Sequence, residues 1–114
     1  MASDPRVELA IAHWGGRFVS NGMPLADFQE VTASLDSWED WCAGFSERAE
    51  LHEKMGREAL DNNLNISAGE HLTRAAVLYH FAKYLFVIDT DQMKAAHLKA
   101  VDCHTLALPY LDPP

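Results

Sequence analysis

The sequence predicts an all-α protein, a compact bundle of about five helices, and three observations support this fold class. Apolar residues recur at three- and four-residue steps through most of the chain, which is the period of an amphipathic helix. Residues of high strand propensity do not gather into alternating runs, so no β-strand is predicted. Side chains suited to helix N-caps stand at Asp4, Asp36 and Ser67. With 114 residues, the chain has the length of one domain.

The first helix is predicted over residues 5–21, with Asp4 as its N-cap. Gly22 suits the left-handed conformation that ends many helices. The glycine pair 15–16 lies inside this helix and predicts either a kink or a close approach by a neighbouring element. A short second helix is predicted over residues 24–34.

The third helix is predicted to begin with Asp36 as its N-cap, and Glu39 three residues later completes a capping pair. The stretch 61–63, Asp-Asn-Asn, is predicted to end it. Glu53 and Arg57 are spaced for an ion pair, which we place on the solvent side. The opposite side carries the stripe that we expect in the core: Trp38, Trp41, Phe45, Ala49, His52, Met55 and Ala59.

The fourth helix is predicted to begin with Ser67 and Glu70 as a second capping box and to run to Ile88. Its segment 75–88 is apolar on nearly every side, which predicts a central helix covered by its neighbours, with some apolar surface left for a partner. One ridge of this helix is formed by Tyr79, Ala82 and Phe86.

The fifth helix is predicted from residue 89 or 90 to Pro109. Its core face is expected to carry Met93, Ala96, Ala100, Cys103 and Ala107. The last residues, Pro-Tyr-Leu-Asp-Pro-Pro, are typical of an extended connector that does not dock. The predicted organisation is therefore a helical domain over 1–108 and a linker over 109–114.

Charge and composition exclude several classes of partner. The chain has nine Lys and Arg and seventeen Asp and Glu, which gives a net charge of −8. Neither a nucleic acid nor an anionic membrane surface is therefore an expected partner. No apolar stretch reaches the roughly 18 residues of a membrane helix, and no signal peptide is recognisable at the N-terminus. We therefore expect a cytoplasmic location, with Cys42 and Cys103 as reduced, buried thiols.

No catalytic or cofactor motif stands in the sequence. G-x-S-x-G, H-E-x-x-H and E-x-x-H are all absent, so no catalytic residue, metal site or cofactor is predicted. His80 lies in the most apolar helix, where it is either a hydrogen-bonded core histidine or a histidine that faces a pocket. The tryptophans Trp38 and Trp41 are, in the same way, core anchors or ligand platforms.

Three blocks of sequence, in order, resemble the N-terminal helical region of α/β-hydrolases related to 2,6-dihydroxypseudooxynicotine hydrolase of nicotine breakdown. The blocks are residues 37–42, SWEDWC; residues 67–83, SAGEHLTRAAVLYHFAK; and residues 108–114, LPYLDPP. In that family the last block leads into a hydrolase domain, which uses a serine, an acidic residue and a histidine to cleave a carbon–carbon bond beside a carbonyl. The resemblance implies that this chain is a cap domain without catalytic residues, and that its partner is a C-terminal α/β-hydrolase domain of the same protein.

The resemblance also implies a small aromatic substrate, and a homodimer is a further expectation. Trp41, Tyr79 and His80 are the predicted substrate-binding residues, because aromatic walls and an imidazole hydrogen bond suit a planar hydroxylated ring. The competing hypothesis is a stand-alone helical interaction module, since the third and fourth helices resemble a tetratricopeptide hairpin. No second copy of such a hairpin is evident at a fixed period.

Overall fold

The computed structural model describes residues 4–84 and 90–111, and every regular element within them is helical. The predicted all-α fold class is therefore confirmed. The α-helices are α1 (Pro5–Ser20), α2 (Leu25–Ser34), α3 (Trp41–Asp61), α4 (Asn65–Tyr84) and α5 (Thr90–Ala107). Two 3₁₀ turns accompany them: Trp38–Asp40 precedes α3, and Leu108–Tyr110 follows α5.

The glycine pair in α1 marks the contact between α1 and α2. A Cβ atom added to Gly15 would lie 3.2 Å from the ring of Phe28, whereas one added to Gly16 would meet nothing within 4 Å. The close approach predicted from this pair is thus confirmed at Gly15. At the end of the helix, Gly22 has a φ of 108°, in the left-handed region where a residue without Cβ is favoured.

The start of the third helical segment corrects one prediction. The carboxylate of Asp4 caps α1 by accepting the backbone N–H of Arg6 at 2.9 Å, and its other oxygen accepts the backbone N–H of Trp38 at 2.8 Å. Asp36, the predicted N-cap, makes no hydrogen bond to the described residues. The predicted capping pair is wrong because the carboxylate of Asp4 binds the backbone N–H of Trp38 in place of Asp36.

The helices α3 and α4 form an antiparallel hairpin with a tight turn. Asn63 has a φ of 59°, and the carbonyl of Leu64 accepts the backbone N–H of Ala68 at 2.9 Å. The fourth helix therefore begins at Asn65, and Ser67, predicted as its cap, lies inside it. The predicted capping box is therefore not formed. The chain turns at Asn63, and the first helical hydrogen bond is accepted by the carbonyl of Leu64.

The helix α4 packs between α3 and α5, as predicted for its described part. Its buried residues lie on several sides: Ala68, Leu72, Ala75, Ala76, Leu78, Tyr79, Phe81 and Ala82. Phe86, the third member of the predicted ridge, lies outside the described residues. On α5, the predicted core face is confirmed for Ala96, Ala100, Cys103 and Ala107.

An aromatic cluster joins the first helices to α4. The rings of Phe18 and Phe81 stack with centroids 4.2 Å apart, and Trp41 packs edge-on against Phe18 at 6.1 Å. Phe28 and Phe45 complete the cluster. Because Phe18 belongs to α1 and Phe81 to α4, this cluster joins the first α-helix to the fourth.

The end of the described chain docks, which corrects the expectation of a free connector. The 3₁₀ turn at 108–110 packs against the first turns of α4, where a Cβ added to Gly69 would lie 2.8 Å from the carbonyl oxygen of Tyr110. Residues 109–110 of the predicted linker are thus part of the bundle. Residues 112–114 lie outside the described residues, and a linker role for them stays a prediction.

Candidate ligand groove between α4 and α5

A surface groove of about 570 Å³ runs between α4 and α5 and includes one residue after α1. Its walls are mostly apolar, and its polar residues are an amide, a hydroxyl and three imidazoles. The apolar residues are Ala76, Val77, Phe81, Ala100 and Val101. The polar residues are Asn21, Thr73, His80, His97 and His104.

Helical spacing places the three histidines of the groove. His97 and His104 are seven residues apart on α5, so both project from the same side of that helix, with buried Ala100 between them. His80 stands one turn after Ala76 on α4. All three imidazoles belong to exposed residues, whereas the two alanines are buried. The groove therefore combines an apolar floor with side chains at its rim that donate or accept hydrogen bonds.

The structure places His80, one of the predicted substrate-binding residues, in this groove. The residue is exposed, and its ring stands edge-on to that of Phe81 with centroids 5.1 Å apart. Of the two alternatives drawn from the sequence, a buried core histidine is wrong and a histidine that lines a pocket agrees with the structure. Contact with a substrate stays a prediction.

Trp41, the second predicted residue, is a core anchor. None of its surface is exposed, and its indole N–H donates to the backbone carbonyl of Phe81 at 3.2 Å. This hydrogen bond joins the start of α3 to the second half of α4. Trp41 does not line the groove, so the structure does not bring its ring to the same surface as His80.

Tyr79, the third predicted residue, points to the other side of α4. Its hydroxyl donates to the carboxylate of Glu53 at 2.9 Å, and its side chain lines a separate cavity of about 380 Å³ with Cys42 and Lys99. Burial and the neighbouring carboxylate of Glu53 raise the pKa of Tyr79. Trp41, Tyr79 and His80 therefore do not share a cavity, because successive residues of a helix point about 100° apart.

Glu53 is a buried carboxylate held by three partners. Besides Tyr79, it pairs with Arg57 at 2.9 Å and lies 3.7 Å from the ammonium group of Lys99. The predicted pair with Arg57 is confirmed, but its predicted place on the solvent side is wrong, since Glu53 is only 6% exposed. Burial opposes ionisation, but the hydrogen bonds from Arg57 and Tyr79 outweigh it, so the pKa of Glu53 is lowered.

A third polar feature connects α2, α3 and α4, and sequence reasoning missed it. Asp27 accepts hydrogen bonds from Arg48 at 2.9 Å and from Nε2 of His52 at 2.7 Å, and Nδ1 of His52 faces Nδ1 of His71 at 3.5 Å. One signal was present: His52 occupies a position on the core stripe of α3, and a histidine there needs a polar partner. The sequence did not identify that partner, because Asp27 lies 25 residues away.

The described residues contain no group of three or more side chains that could hold a metal ion. Across residues 4–84 and 90–111, no three His, Cys, Asp or Glu side chains are placed to share a metal ion. Both cysteines are buried, and they do not form a disulfide with each other. Burial and the carboxylates of Glu53 and Asp102 raise the pKa of Cys103 to about 12, which keeps this thiol protonated at neutral pH.

No protein family, curated protein or solved structure was found that matches this chain. In the part of the chain that the structure describes, no helix is both long and apolar enough to cross a bilayer. The class of protein that the structure defines is an all-α helical bundle with a groove on one side.

Proposed function

We propose that this chain is a helical cap domain that binds a small, planar, hydroxylated aromatic molecule in the α4–α5 groove. In this proposal an α/β-hydrolase domain of the same protein cleaves a carbon–carbon bond beside a carbonyl of that molecule. The observation that carries the proposal is the groove itself, whose volume of about 570 Å³ lies within the range of small-molecule sites.

The lining of the groove favours this class of ligand. Phe81 and Val101 offer apolar contact to the faces of an aromatic ring. The imidazoles of His80, His97 and His104 stand at the rim, where each can donate or accept a hydrogen bond with a hydroxyl or carbonyl group on the edge of the ring. A neutral imidazole does both, so the groove suits a ligand that carries several oxygen substituents.

The resemblance in residues 37–42, 67–83 and 108–114 supports the role of a cap. The middle block contains His80 and four further groove residues of α4: Thr73, Ala76, Val77 and Phe81. The catalytic serine, acid and histidine would come from the hydrolase domain. We therefore expect the isolated chain to bind the aromatic molecule without turning it over.

Ligand binding by the purified chain tests the groove. Val101 is half exposed and lines the groove, so Val101→Trp fills it from the rim without entering the core. Leu98, on the same helix, is 68% exposed and does not line the groove, so Leu98→Trp is the matched control. Titration with dihydroxylated pyridines and phenols, followed by NMR shifts of the histidine rings, should show binding that V101W abolishes and L98W retains. Equal binding by both variants would place the ligand elsewhere.

The reading frame after Pro114 tests the link to a hydrolase. A following strand-rich segment with G-x-S-x-G supports a cap, and an in-frame stop codon directly after Pro114 contradicts it. If the hydrolase domain is found, His80→Phe in the full-length enzyme should raise KM for the aromatic substrate with little change in Tm, because His80 is exposed. An unchanged KM would mean that His80 does not contact the substrate.

A further inference from the structure

Three polar side chains form a chain across the interface of α2, α3 and α4, on residues other than those of the groove. Asp27 of α2 is 7% exposed, and the side chains of His52 on α3 and His71 on α4 are partly buried. Polar groups withdrawn from water in this way need partners inside the protein. Here the partners are each other.

The two imidazoles face one another through their Nδ1 atoms. These atoms are 3.5 Å apart, while the ring centroids are 5.8 Å apart. The centroid distance exceeds the Nδ1–Nδ1 distance by the radii of the two rings. This is possible only if both nitrogens lie close to the line that joins the ring centres. Their in-plane lone pairs or N–H bonds therefore point at each other.

The hydrogen bond to Asp27 determines how protons are distributed. Nε2 of His52 lies 2.7 Å from a carboxylate oxygen of Asp27, so this nitrogen carries a proton and donates it. When His52 is neutral, its Nδ1 is an acceptor, and His71 must donate from its own Nδ1. When His52 is protonated, its Nδ1 donates to a neutral His71. In both states, one proton lies between the two facing nitrogens.

We propose that His52 and His71 form a proton-operated latch, in which a single shared proton joins α3 to α4 and a second proton separates them. With two protons, both Nδ1 atoms carry hydrogen and both rings are cationic, so the contact becomes repulsive. The proposal does not depend on the function proposed for the groove.

The charged groups around the latch act on the second proton in both directions. Asp27 of α2 binds His52 and favours a positive charge there, while Arg48 of α3 pairs with Asp27 at 2.9 Å and with Glu30 at 2.7 Å. From α4, Arg74 opposes a positive charge on His71 and Glu70 favours it. Burial, then the charge of His52, then that of Arg74 lower the pKa of His71.

The spacing suits a shared proton better than a metal ion. A Zn²⁺ ion on the line between the two nitrogens would lie closer to each of them than the usual Zn–N distance of about 2.0–2.1 Å. A position off that line would lie outside the direction of the lone pairs. The carboxylate of Asp27 then acts as the group that orients His52 for proton sharing.

The latch lies beside a close contact of the two helices. His52 is one turn before Gly56, and His71 directly precedes Leu72; a Cβ on Gly56 would lie 2.6 Å from Cγ of Leu72. Separation of the imidazoles therefore acts next to this close contact. The same helix supplies Thr73 and Ala76 to the groove, so proton uptake is coupled to the packing of one groove wall.

A pH titration of the histidine rings tests the latch. In the intact chain, NMR should show the ring signals of His71 moving in two steps, because the facing imidazole shares its proton. In His52→Gln, His71 should titrate in a single step. His13→Gln is the matched control, because His13 is exposed on α1, and this variant should leave both steps unchanged.

Hydrogen exchange measures whether the latch holds the helices. As the pH falls toward the second step, amide protection in α3 and α4 around residues 56 and 72 should decrease by up to about tenfold per pH unit, because in this range the open state binds one more proton than the closed state. Below the second step both states carry the second proton, and this pH dependence should level off. H71Q should lose this pH dependence, and H13Q should keep it. A one-step titration of His71 in the intact chain, or protection in H71Q that still falls with pH as in the intact chain, would each overturn the proposal. The titration of the intact chain decides the matter even if a variant fails to fold.

Discussion

At Gly56, a hydrogen atom stands where any other residue would place a side chain, between α3 and α4. A Cβ at this position would lie 2.6 Å from Cγ and 3.2 Å from the backbone nitrogen of Leu72, which has no exposed surface. Gly56→Ala should therefore lower the free energy of unfolding by about 1–3 kcal/mol, despite the better helix propensity of alanine.

Gly16→Ala provides the control for this substitution. Gly16 is also inside a helix, but a Cβ there meets nothing within 4 Å. Alanine should raise the free energy of unfolding by about 0.5–1 kcal/mol at this position. Urea unfolding of both variants measures the difference, and the same sign for both would contradict the close contact at Gly56.

The hydroxyl of Tyr79 is the second residue-scale determinant. Tyr79→Phe leaves the buried carboxylate of Glu53 without one of its hydrogen bonds, and a bond to a charged group contributes about 1.5–3 kcal/mol. Thermal unfolding should show a lower Tm for this variant. Tyr110→Phe, whose hydroxyl has no hydrogen bond to a described residue, should leave the Tm nearly unchanged. Equal losses in both would indicate that the ring environment, and not the bond to Glu53, was changed.

At the scale of elements, one carboxylate begins two helical segments. Asp4 accepts the backbone N–H groups of Arg6 and Trp38, and its side-chain hydrogen bond with Arg6 contributes most to a pKa far below the ordinary value of 3.8. Asp4→Ala should therefore lower the Tm, whereas Asp36→Ala should not. Because the pKa is lowered in the folded state, this stabilisation is complete above pH 3.8 and is lost as the pH falls further. A pH series of Tm values for both variants checks the expectation.

The elements show where the sequence was sufficient. Helix periodicity predicted all five α-helices. Asp4 and Gly22 correctly marked the start and the end of α1, because capping residues act on backbone groups within one or two turns. Asp36 and Ser67 carried the same local signal and were wrong as caps. At Asp36 the amide of Trp38 is bound by Asp4 instead, and at Ser67 the helix already begins at Asn65, so Ser67 is not at its start. A local pattern cannot rank such competing arrangements.

The candidate site was less predictable for a related reason. His80 was placed correctly on α4. The groove, however, depends on which helix packs beside α4. Nothing in the sequence linked His97 and His104 of α5 to His80. Tyr79 is adjacent to His80 in sequence but lines a different cavity. Whether an aromatic residue lines a pocket or fills the core is decided by tertiary packing, which residue type alone does not specify.

At the scale of the whole molecule, the helices that pack together are mostly neighbours along the chain: α1 with α2, α2 with α3, α3 with α4 and α4 with α5. The stacking of Phe18 on Phe81 is different, because it joins the first α-helix to the fourth. Contacts between chain neighbours close short loops, which is typical of proteins that fold within microseconds to milliseconds.

The stack of Phe18 on Phe81 therefore has a kinetic consequence. Closing so long a loop has a high entropic cost, so we expect this contact to form after the transition state, once the α3–α4 hairpin is in place. Phe18→Leu should mainly speed unfolding, whereas Leu72→Ala, in the hairpin, should mainly slow folding. Stopped-flow measurements across a range of urea concentrations separate the two rates. The reverse pattern would mean that α1 docks first and that the hairpin closes around it.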